Sequence, residues 1–328
     1  MDAPPISVVA PCYNEQDVLE AFHRRVRAVL DGLDGDSEIV LVDDGSTDET
    51  WAIMERLAEA DPAVVAVRLS RNHGHQLALT AGLDICRGRR VLVIDADLQD
   101  PPELLPDMLR IMDDGADVVY GQRRRRAGET AFKRATAAAF YRLLGRMSRS
   151  PIPPDTGDFR LISRRALDVL LAMPERHRFI RGMVSWIGFR QEPLLYDRDS
   201  RAAGTTKYPL RKLFRFAFDA ITSFSTVPLA LAGWVGLFTA LFGFGLFIYA
   251  LISKFLYRTE TGWTSLMAGL SLLSGVQLLV LGVIGEYLGR LYEQSKGRPL
   301  FIVDRILRAG SEEAVSGHPS SQRGERRT

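Results

Sequence analysis

Two long stretches without a charged side chain constrain this sequence more than any other feature. Residues 220–253 and 261–285 are runs of 34 and 25 residues that contain no Asp, Glu, Lys or Arg. A helix that crosses a bilayer needs about 20 mostly apolar residues, and both runs exceed that length. We therefore predict two transmembrane helices, residues 227–252 and 263–285, joined by a short charged loop at 254–260.

The charges around the two predicted helices indicate how the chain is oriented in the membrane. Basic residues flank the outer ends of the pair, and the loop between the helices carries fewer of them. The flanking cations are Arg211, Lys212, Arg215, Arg290, Lys296 and Arg298. By the positive-inside rule we expect a multi-pass protein of the inner (plasma) membrane with both termini in the cytoplasm. A basic amphipathic helix within 206–226 is expected to lie along the membrane surface.

The N-terminal part alternates between short β-branched runs and longer segments with helical periodicity. The strand-like runs occupy residues 6–10, 38–42, 64–69 and 90–94. This alternation predicts an α/β domain with a mainly parallel sheet covered on both faces. Such sheets bind their ligands outside the carboxyl ends of the strands, so we expect the site at that edge.

Four polar clusters follow these four strands directly. They begin at Pro11, Asp43, Ser70 and Asp95. One such cluster alone is as often a capped turn as a binding loop, because Asp, Ser and Asn favour helix N-termini. Four clusters that converge on one edge of a sheet predict a pocket.

The sharpest local signal is a pair of carboxylates, Asp95 and Asp97, one residue apart after a buried strand. Carboxylate oxygens are the ligands that Mg²⁺ or Mn²⁺ prefers, and such a cation neutralises a diphosphate leaving group. Gln99 adds a third candidate ligand. The sequence has neither a Gly-x-Gly-x-x-Gly fingerprint nor a Walker-type lysine loop, which disfavours dinucleotide oxidoreductases and P-loop enzymes.

The charge balance disfavours nucleic acid as a partner. The chain has 42 Lys and Arg against 40 Asp and Glu, a net charge of +2, whereas nucleic-acid binders carry a strong basic excess. A homo-oligomer is expected, because a pair of apolar helices leaves much helix surface free to pack.

The polar clusters and their spacing resemble those of family-two glycosyltransferases with the GT-A fold. The motifs are Pro-Cys-Tyr-Asn-Glu from Pro11, Val-Asp-Asp-Gly-Ser-Thr-Asp from Val42, Ser-Arg-Asn-His-Gly-His-Gln from Ser70 and Asp-Ala-Asp-Leu-Gln-Asp-Pro-Pro-Glu from Asp95. Gly-Asp-Phe-Arg at 157–160, Arg-Phe-Ile-Arg-Gly at 178–182 and the pair of apolar helices make the sequence similar to a narrower group. That group is the polyisoprenyl-phosphate glycosyltransferases of the GtrB and dolichol-phosphate mannose synthase type.

The resemblance implies a role for each matching residue. The nucleotide-sugar pocket would contain Pro11, Tyr13, Glu15, Asp43, Asp44, Asp95 and Ala96. The metal ligands would be Asp95, Asp97 and Gln99. Cations for the phosphate of a polyprenyl-phosphate acceptor would be Arg123, Arg126, Lys133, Arg134, Arg160, Arg201 and Lys207. The catalytic residues would be Asp97, through the metal, and Asp158, which matches the carboxylate proposed as catalytic in the family.

The implied reaction transfers a sugar from a nucleotide sugar to a polyprenyl phosphate with inversion at the anomeric carbon. UDP-glucose is the favoured donor and undecaprenyl phosphate the favoured acceptor, with GDP-mannose, UDP-N-acetylglucosamine and UDP-4-formamido-arabinose as open alternatives. The role of Asp158 also stays open, because the attacking phosphate oxygen is already ionised near neutral pH and needs little general-base help. Asp158 could instead orient the sugar or an arginine such as Arg160.

Three other functions fit parts of the sequence. A processive polysaccharide synthase would carry a Gln-x-x-Arg-Trp motif and more membrane helices, and the sequence has neither. A non-catalytic membrane scaffold of the same fold would be expected to lose Asp97 or the phosphate-binding cations, which are present. A flippase would need a polar pathway that one helical hairpin does not offer.

These observations predict four parts of the chain. We expect a GT-A (Rossmann-like) domain at 1–205, a juxtamembrane helix at 206–226 and two transmembrane helices at 227–289. The remainder, 290–328, is expected to be a cytoplasmic segment that ends in a disordered tail.

Overall fold

Two compact units make up the protein in a computed structural model that describes residues 3–124, 156–176, 178–197, 227–256, 262–308 and 311–313. The first, which we call the sheet unit, holds residues 1–208 together with 298–328. The second, the helical unit, holds residues 209–297. The sheet unit therefore contains chain segments from before and after the two long apolar helices.

The described part of the sheet unit alternates strands and helices, as predicted. Up to α3 its elements are β1 (Ile6–Cys12), α1 (Leu19–Leu30), β2 (Ser37–Asp43), α2 (Thr50–Ala60), β3 (Val64–Leu69) and α3 (His75–Ile85). Then come β4 (Arg90–Val93), a 3₁₀ turn (Pro102–Leu104), α4 (Leu105–Asp113), β5 (Val118–Arg123), β6 (Thr156–Ser163), α5 (Arg164–Ala172), α6 (Ile180–Ile187) and β7 (Gln191–Tyr196). The last two strands, β8 (Val303–Arg308) and β9 (Ser311–Glu313), follow the helical unit.

The sheet has a parallel centre and antiparallel flanks. Its strand order is β7-β5-β6-β4-β1-β2-β3-β8-β9. Strands β4, β1, β2 and β3 are parallel to one another, whereas β6 pairs antiparallel with β4 and β8 pairs antiparallel with β3. The parallel strands end at the same edge, which therefore gathers the four polar clusters.

The central strands are buried along nearly their whole length. Every residue of β1 is buried, as are all but the first residues of β2 and β4. Such strands consist of near-continuous Val, Ile and Leu runs, which is why the sequence predicts them well. Helix α3 approaches β1 so closely that a Cβ at Gly82 would lie 2.4 Å from Val9 Cγ1. This contact fixes α3, whose first residue, His75, lies in the candidate site.

The helical unit contains two long helices, α7 (Val227–Leu256) and α8 (Trp263–Ser295). Within the first helix, the segment Pro228–Tyr249 has a mean hydropathy of 2.0, and 6% of its residues are buried. Within the second, Leu272–Ser295 has a mean hydropathy of 1.6, and 0% of its residues are buried. Both segments are long and apolar enough to cross a membrane.

Local contacts within the helical unit agree with the sequence. The two helices meet at Gly243, where a Cβ would lie 3.8 Å from Leu273 Cδ2. On the second helix Arg290 Nε donates to Glu286 Oε1 at 2.9 Å, an i,i+4 pair that the spacing predicts. The predicted juxtamembrane helix at 206–226 lies outside the described residues.

The chain returns to the sheet unit after the second long helix. There β8 covers the edge of β3, and Phe301, just before it, is almost fully buried. No strand was predicted here from the sequence. Its six residues, Val-Asp-Arg-Ile-Leu-Arg, include three charges and lack the apolar run that marks the central strands.

A buried ion pair attaches this last part of the chain to the first two strands. Arg308 Nη1 donates to Glu38 Oε1 at 2.9 Å. The other carboxylate oxygen of Glu38 accepts from Ser7 Oγ at 2.6 Å and from the backbone N–H of Arg87 at 2.9 Å. Glu38 is only 6% exposed, so Arg308 neutralises a charge that water does not reach.

Replacing Arg308 by Met tests this link. Breaking a buried ion pair leaves one charge uncompensated and costs about 3 to 5 kcal/mol, and we expect the lower end because Arg308 is partly exposed. A loss of about 3 kcal/mol lowers the melting temperature of a unit of this size by about 6 to 12 °C. Thermal unfolding of the full-length protein in detergent measures this shift.

Arg305→Met is the matched control, because Arg305 lies on the same strand and is exposed. An exposed pair contributes less than about 1 kcal/mol, so we expect little change. Equal melting temperatures for the two variants would contradict the assigned role of Arg308.

Candidate active site

Hydrogen bonds join the loops that follow β1 and β2. Asn14 Oδ1 accepts from Thr47 N at 2.9 Å, and Asn14 N donates to Ser46 Oγ at 3.0 Å. Glu15 N donates to Thr50 Oγ1 at 2.9 Å. Asn14 has a φ of 56°, in the left-handed region that asparagine tolerates better than most residues. These hydrogen bonds thus hold the two loops side by side at the carboxyl edge of the sheet.

Two predicted pocket residues on the first of these loops differ in exposure. Pro11 is buried within β1, whereas Tyr13 is 47% exposed and presents its ring at the surface of this edge. Glu15 is partly buried, and its backbone N–H links the loop to Thr50 at the start of α2.

Asp43 and Asp44 lie side by side at the end of β2, but their carboxylates have different partners. The two oxygens of Asp44 accept from the backbone N–H groups of His73, at 2.7 Å, and Gly74, at 2.9 Å. Asp43 Oδ1 accepts from Ser46 N at 2.9 Å. The buried Oδ2 of Asp43 accepts no hydrogen bond from any described residue. Arg68 Nε lies 3.9 Å from this oxygen, beyond hydrogen-bond distance. Asp43 Oδ2 can therefore still accept a hydrogen bond, and Asp44 links two loops.

Gly45 allows the loops after β2 and β3 to meet. Its φ is 68°, and a Cβ there would lie 2.6 Å from Arg71 C and Asn72 N. Glycine adopts this conformation without steric penalty, and no larger residue fits the contact. The close approach brings the backbone N–H groups of the second loop to Asp44. Burial raises the pKa of Asp44, and these N–H groups partly offset the increase.

The loop at 95–100 carries the predicted metal ligands in a constrained shape. Asp97 Oδ1 accepts from Gln99 N at 3.1 Å, and Ala96 and Gln99 are buried. Leu98 has a φ of 61°. A left-handed residue other than glycine costs about 1 to 2 kcal/mol, so surrounding contacts must hold the loop in this conformation.

The surroundings of Asp95 fit a divalent cation. Its buried Oδ1 accepts no hydrogen bond from any described residue, and His75 Nε2 lies 3.6 Å from it. Burial raises the pKa of Asp95 to about 6; His75 opposes this shift, and the carboxylates of Asp158, Asp100 and Asp97 add to it. A bound Mg²⁺ or Mn²⁺ would stabilise the charged form.

The side chains of the described residues do not form a complete metal shell by themselves. In the described part of the chain, no group of three or more His, Cys, Asp or Glu side chains is arranged to hold a metal ion. Mg²⁺ sites with one or two carboxylates commonly complete their shell with water and substrate phosphates. The pair Asp95 and Asp97 fits such a site.

Asp158 lies at the centre of a buried hydrogen-bond network. It is 2% exposed, and Arg181 donates to it twice, from Nε to Oδ1 at 2.8 Å and from Nη2 to Oδ2 at 3.3 Å. Gln76 Nε2 donates to Oδ2 at 3.1 Å, and His75 Nε2 lies 3.1 Å from the same oxygen. Because His75 also approaches Asp95, it connects Asp158 to the predicted metal ligands.

This network makes Asp158 a very weak base. Burial alone would raise its pKa, but the hydrogen bond with His75 and the positive charges of Arg181 and Arg160 hold the pKa well below its ordinary range. Both carboxylate oxygens are already engaged by donors. Asp158 therefore suits the positioning of neighbouring groups better than proton removal.

Arg160 has a different position from the one expected of a phosphate ligand. It is 3% exposed, and its Nε and Nη2 donate to the backbone oxygens of Asp158, at 3.3 Å, and Gly157, at 3.0 Å. Burial lowers its pKa to about 10, against the opposing charge of Asp158. Arg160 thus supports the backbone beneath Asp158, and the arginine that pairs with the Asp158 carboxylate is Arg181. This corrects the sequence-based expectation.

The other predicted phosphate-binding cations divide into two groups. Arg123, the last residue of β5, is partly exposed, and its guanidinium lies 3.2 Å from the position of a Cβ at Gly157. The remaining cations lie outside the described residues. These are Arg126, Lys133, Arg134, Arg201 and Lys207.

Comparison with known proteins decides the family. The family model described as Glycosyl transferase family 2 matches residues 7–171, from β1 into α5. The chain belongs to this family. The predicted glycosyltransferase resemblance and the GT-A-like α/β class are confirmed.

Relatives extend the similarity of this glycosyltransferase beyond the family segment. It is 47% identical over 300 residues to the uncharacterized glycosyltransferase YkcC of Bacillus subtilis (strain 168), over 91% of this chain and 93% of that one. It is 40% identical over 299 residues to the bactoprenol glucosyl transferase of Shigella phage SfV, over 91% and 97%.

A solved structure resembles the glycosyltransferase more distantly. It is glucosyl-3-phosphoglycerate synthase from Mycobacterium tuberculosis in complex with Mn²⁺, uridine-diphosphate-glucose and phosphoglyceric acid. The two are 23% identical with a TM-score of 0.44, over 67% of this chain and 78% of that one.

Three residues to which no role was assigned from the sequence lie in the candidate site of this glycosyltransferase. His75, Gln76 and Arg181 surround Asp158, and all three lie inside motifs that carry the family resemblance. Ile180 N also donates to Gln76 Oε1 at 3.0 Å, so Gln76 joins α6 to α3. The motifs were the only sequence signal that could have pointed to these residues. Their common contact with the Asp158 carboxylate arises only in the folded chain.

Asp158→Asn tests whether this glycosyltransferase uses Asp158 as a general base. Since its pKa is depressed, the carboxylate stays charged from about pH 4 upwards and contributes no titration between pH 6 and 9. We expect the variant to lose about a hundredfold in kcat/KM through misplaced neighbours, by the same factor at every pH in that range. A kcat/KM profile against pH measures this.

An acid limb that is present in the wild type and absent from the variant would instead identify a general base. Asp168→Asn, at an exposed carboxylate on α5, is the control and should retain full activity.

Proposed function

We propose that the protein transfers a sugar, with UDP-glucose the favoured donor, to a polyprenyl phosphate, with undecaprenyl phosphate the favoured acceptor. The products are a lipid-linked sugar phosphate and a free nucleoside diphosphate. The main support is the combination of a family-two site with two helices that are long and apolar enough to cross a membrane. The relative from phage SfV, named a bactoprenol glucosyl transferase, is similar in sequence to this chain over nearly the whole length of both proteins.

The donor half of the reaction uses the edge formed by β1, β2 and β4. Asp43 Oδ2 is a buried acceptor suited to an N–H of the base or a hydroxyl of the ribose. Asp95 and Asp97 would hold Mg²⁺ or Mn²⁺, which neutralises the diphosphate as it leaves. The loops after β1, β2 and β3 are already linked by hydrogen bonds, so this part of the edge needs little rearrangement on binding.

The acceptor half needs positive charge more than it needs a base. A lipid phosphate is ionised near neutral pH, so its oxygen attacks without losing a proton. This agrees with the weak basicity of Asp158. In our proposal Asp158 and its partners orient the sugar for inversion, and arginines such as Arg123 bind the phosphate, often through two parallel hydrogen bonds.

The return of the chain to the sheet supports the proposed membrane topology. Because β8 pairs with β3, the residues before α7 and after α8 belong to one folded unit. If both helices cross the membrane, their outer ends must lie on the same side. We propose that this side is the cytoplasm, where the flanking cations favour it.

Asp43→Asn and Asp44→Asn form a matched pair that tests the donor site. In Asp43→Asn one oxygen can keep the bond from Ser46 N, while an amide donor replaces the acceptor Oδ2. Loss of one hydrogen bond to a charged group weakens nucleotide binding about ten- to a hundredfold, with little change in melting temperature. Asp44→Asn instead places a donor against a backbone N–H and lowers the melting temperature. Calorimetry with UDP measures nucleotide binding, and thermal unfolding measures the melting temperature of each variant. Weaker UDP binding in Asp44→Asn together with a lower melting temperature in Asp43→Asn would contradict the roles assigned to the two aspartates.

The decisive assay is transfer of radiolabelled sugar into an organic-extractable lipid by the purified full-length protein. It contains undecaprenyl phosphate, Mg²⁺ or Mn²⁺, and in turn UDP-glucose, GDP-mannose, UDP-N-acetylglucosamine and UDP-4-formamido-arabinose. We expect labelled lipid from one donor, lost on addition of EDTA and in Asp97→Ala. A folded protein that transfers no sugar from any donor would refute the proposed reaction and favour a non-catalytic scaffold.

A further inference from the structure

A buried tyrosine connects the metal-binding loop to a predicted phosphate-binding arginine. Tyr196, the last residue of β7, is 4% exposed. Its hydroxyl donates to Asp100 Oδ1 at 2.5 Å, and the nearby Arg123 side chain lowers the pKa of this hydroxyl. Its ring packs edge-on against Phe159 with 5.6 Å between ring centroids. The hydroxyl is thus near an anion of the loop at 95–100 and a cation at the end of β5.

The contact with Asp100 matters because of the loop that ends there. Residues 95–100 carry the two carboxylate candidates for the metal, Asp95 and Asp97, and within this loop Leu98 adopts a left-handed conformation. One end of the loop is fixed by β4. At the other end Asp100 is 1% exposed and hydrogen-bonded to Tyr196. This hydrogen bond is therefore placed to hold the strained loop in its shape.

The contact with Arg123 extends the link towards the acceptor side. Arg123 and Tyr196 are register partners in the parallel pair β5 and β7. The guanidinium packs beside Gly157, the residue before Asp158. Tyr196 also lies two residues before 198–226, the stretch that contains the predicted phosphate ligands Arg201 and Lys207.

The hydroxyl stays protonated under all conditions in which the enzyme would work. Burial raises the pKa of Tyr196 to about 12; the negative charge of Asp100 adds to this increase, and Arg123 partly opposes it. Tyr196 therefore keeps its proton and donates to Asp100 across the physiological range.

We propose that Tyr196 is a positioning residue that holds the metal-binding loop, through Asp100, in register with Arg123. This inference rests on the proposed function, since it takes Asp95 and Asp97 as ligands of the catalytic metal. Loss of the hydroxyl should loosen the loop and weaken metal binding, while the ring keeps its contact with Phe159 and the fold survives.

Tyr196→Phe in the full-length protein tests this by Mn²⁺ titration in the presence of saturating UDP. The electron paramagnetic resonance signal of free Mn²⁺ reports binding without lipid acceptor or turnover. We expect the apparent Kd for Mn²⁺ to rise about tenfold, the effect of one hydrogen bond to a charged group. UDP affinity without metal and the melting temperature should change little. Tyr120→Phe, on neighbouring β5, removes a partly buried hydroxyl and should leave the Kd for Mn²⁺ unchanged.

Asp100→Leu completes a double-mutant cycle with Tyr196→Phe. If the tyrosine acts through Asp100, its replacement has no further effect on the Kd for Mn²⁺ once the carboxylate is gone. An undiminished effect in the Asp100→Leu background, or a wild-type Kd in Tyr196→Phe, would overturn the inference. Should Tyr196→Phe fail to fold, Asp100→Leu alone tests the inference. An unchanged Kd for Mn²⁺ in Asp100→Leu would contradict it equally.

The wild-type titration separates this inference from the proposed function. A wild-type protein that binds no Mn²⁺ with UDP present contradicts the metal dependence of the proposed reaction. A wild type that binds Mn²⁺ together with a Tyr196→Phe variant that binds it equally well contradicts only the role of Tyr196. Failure to transfer sugar to lipid affects neither comparison.

Discussion

The need to neutralise one buried carboxylate determines how the candidate site is assembled. Asp158 lies where an ionised group is stable only when donors and cations surround it. Its partners come from separate parts of the chain, with His75 and Gln76 in the first turn of α3 and Arg181 at the start of α6. Satisfying Asp158 therefore fixes two helices relative to β6 and brings His75 to Asp95. The site is organised by a charge that need not take part in proton transfer.

The other carboxylates at this edge fall into two kinds. The oxygens of Asp44, like those of Asp158, are engaged by donors of the protein and hold loops in place. Asp43 and Asp95 each keep one buried oxygen that accepts no hydrogen bond from the described residues. A charged substrate or cation would meet acceptors whose positions are already fixed, which reduces the reorganisation that accompanies reaction.

The sequence predicted the fold well where local pattern and tertiary structure agree. The central strands are continuous apolar runs, so β1 and its parallel neighbours could be placed within a few residues. The pairing of β8 with β3 could not be predicted, because a charged strand acquires its register only from a distant partner such as Glu38. The partners of Asp158 were missed for a similar reason, since Arg181 and Gln76 are far apart in sequence. Arg160 was assigned to phosphate because burial cannot be read from a single arginine after an aspartate.

The position of β8 also imposes an order on biosynthesis. The ribosome makes both long apolar helices before it makes the strand that covers β3 and the arginine that neutralises Glu38. Until then the nascent sheet has an open edge, which is a site of misassociation between chains. The sheet unit can close only after the chain has passed through α7 and α8. Completion of the sheet unit therefore depends on both long helices having been made, and a chain that ends early within α8 has neither a complete sheet nor a neutralised Glu38.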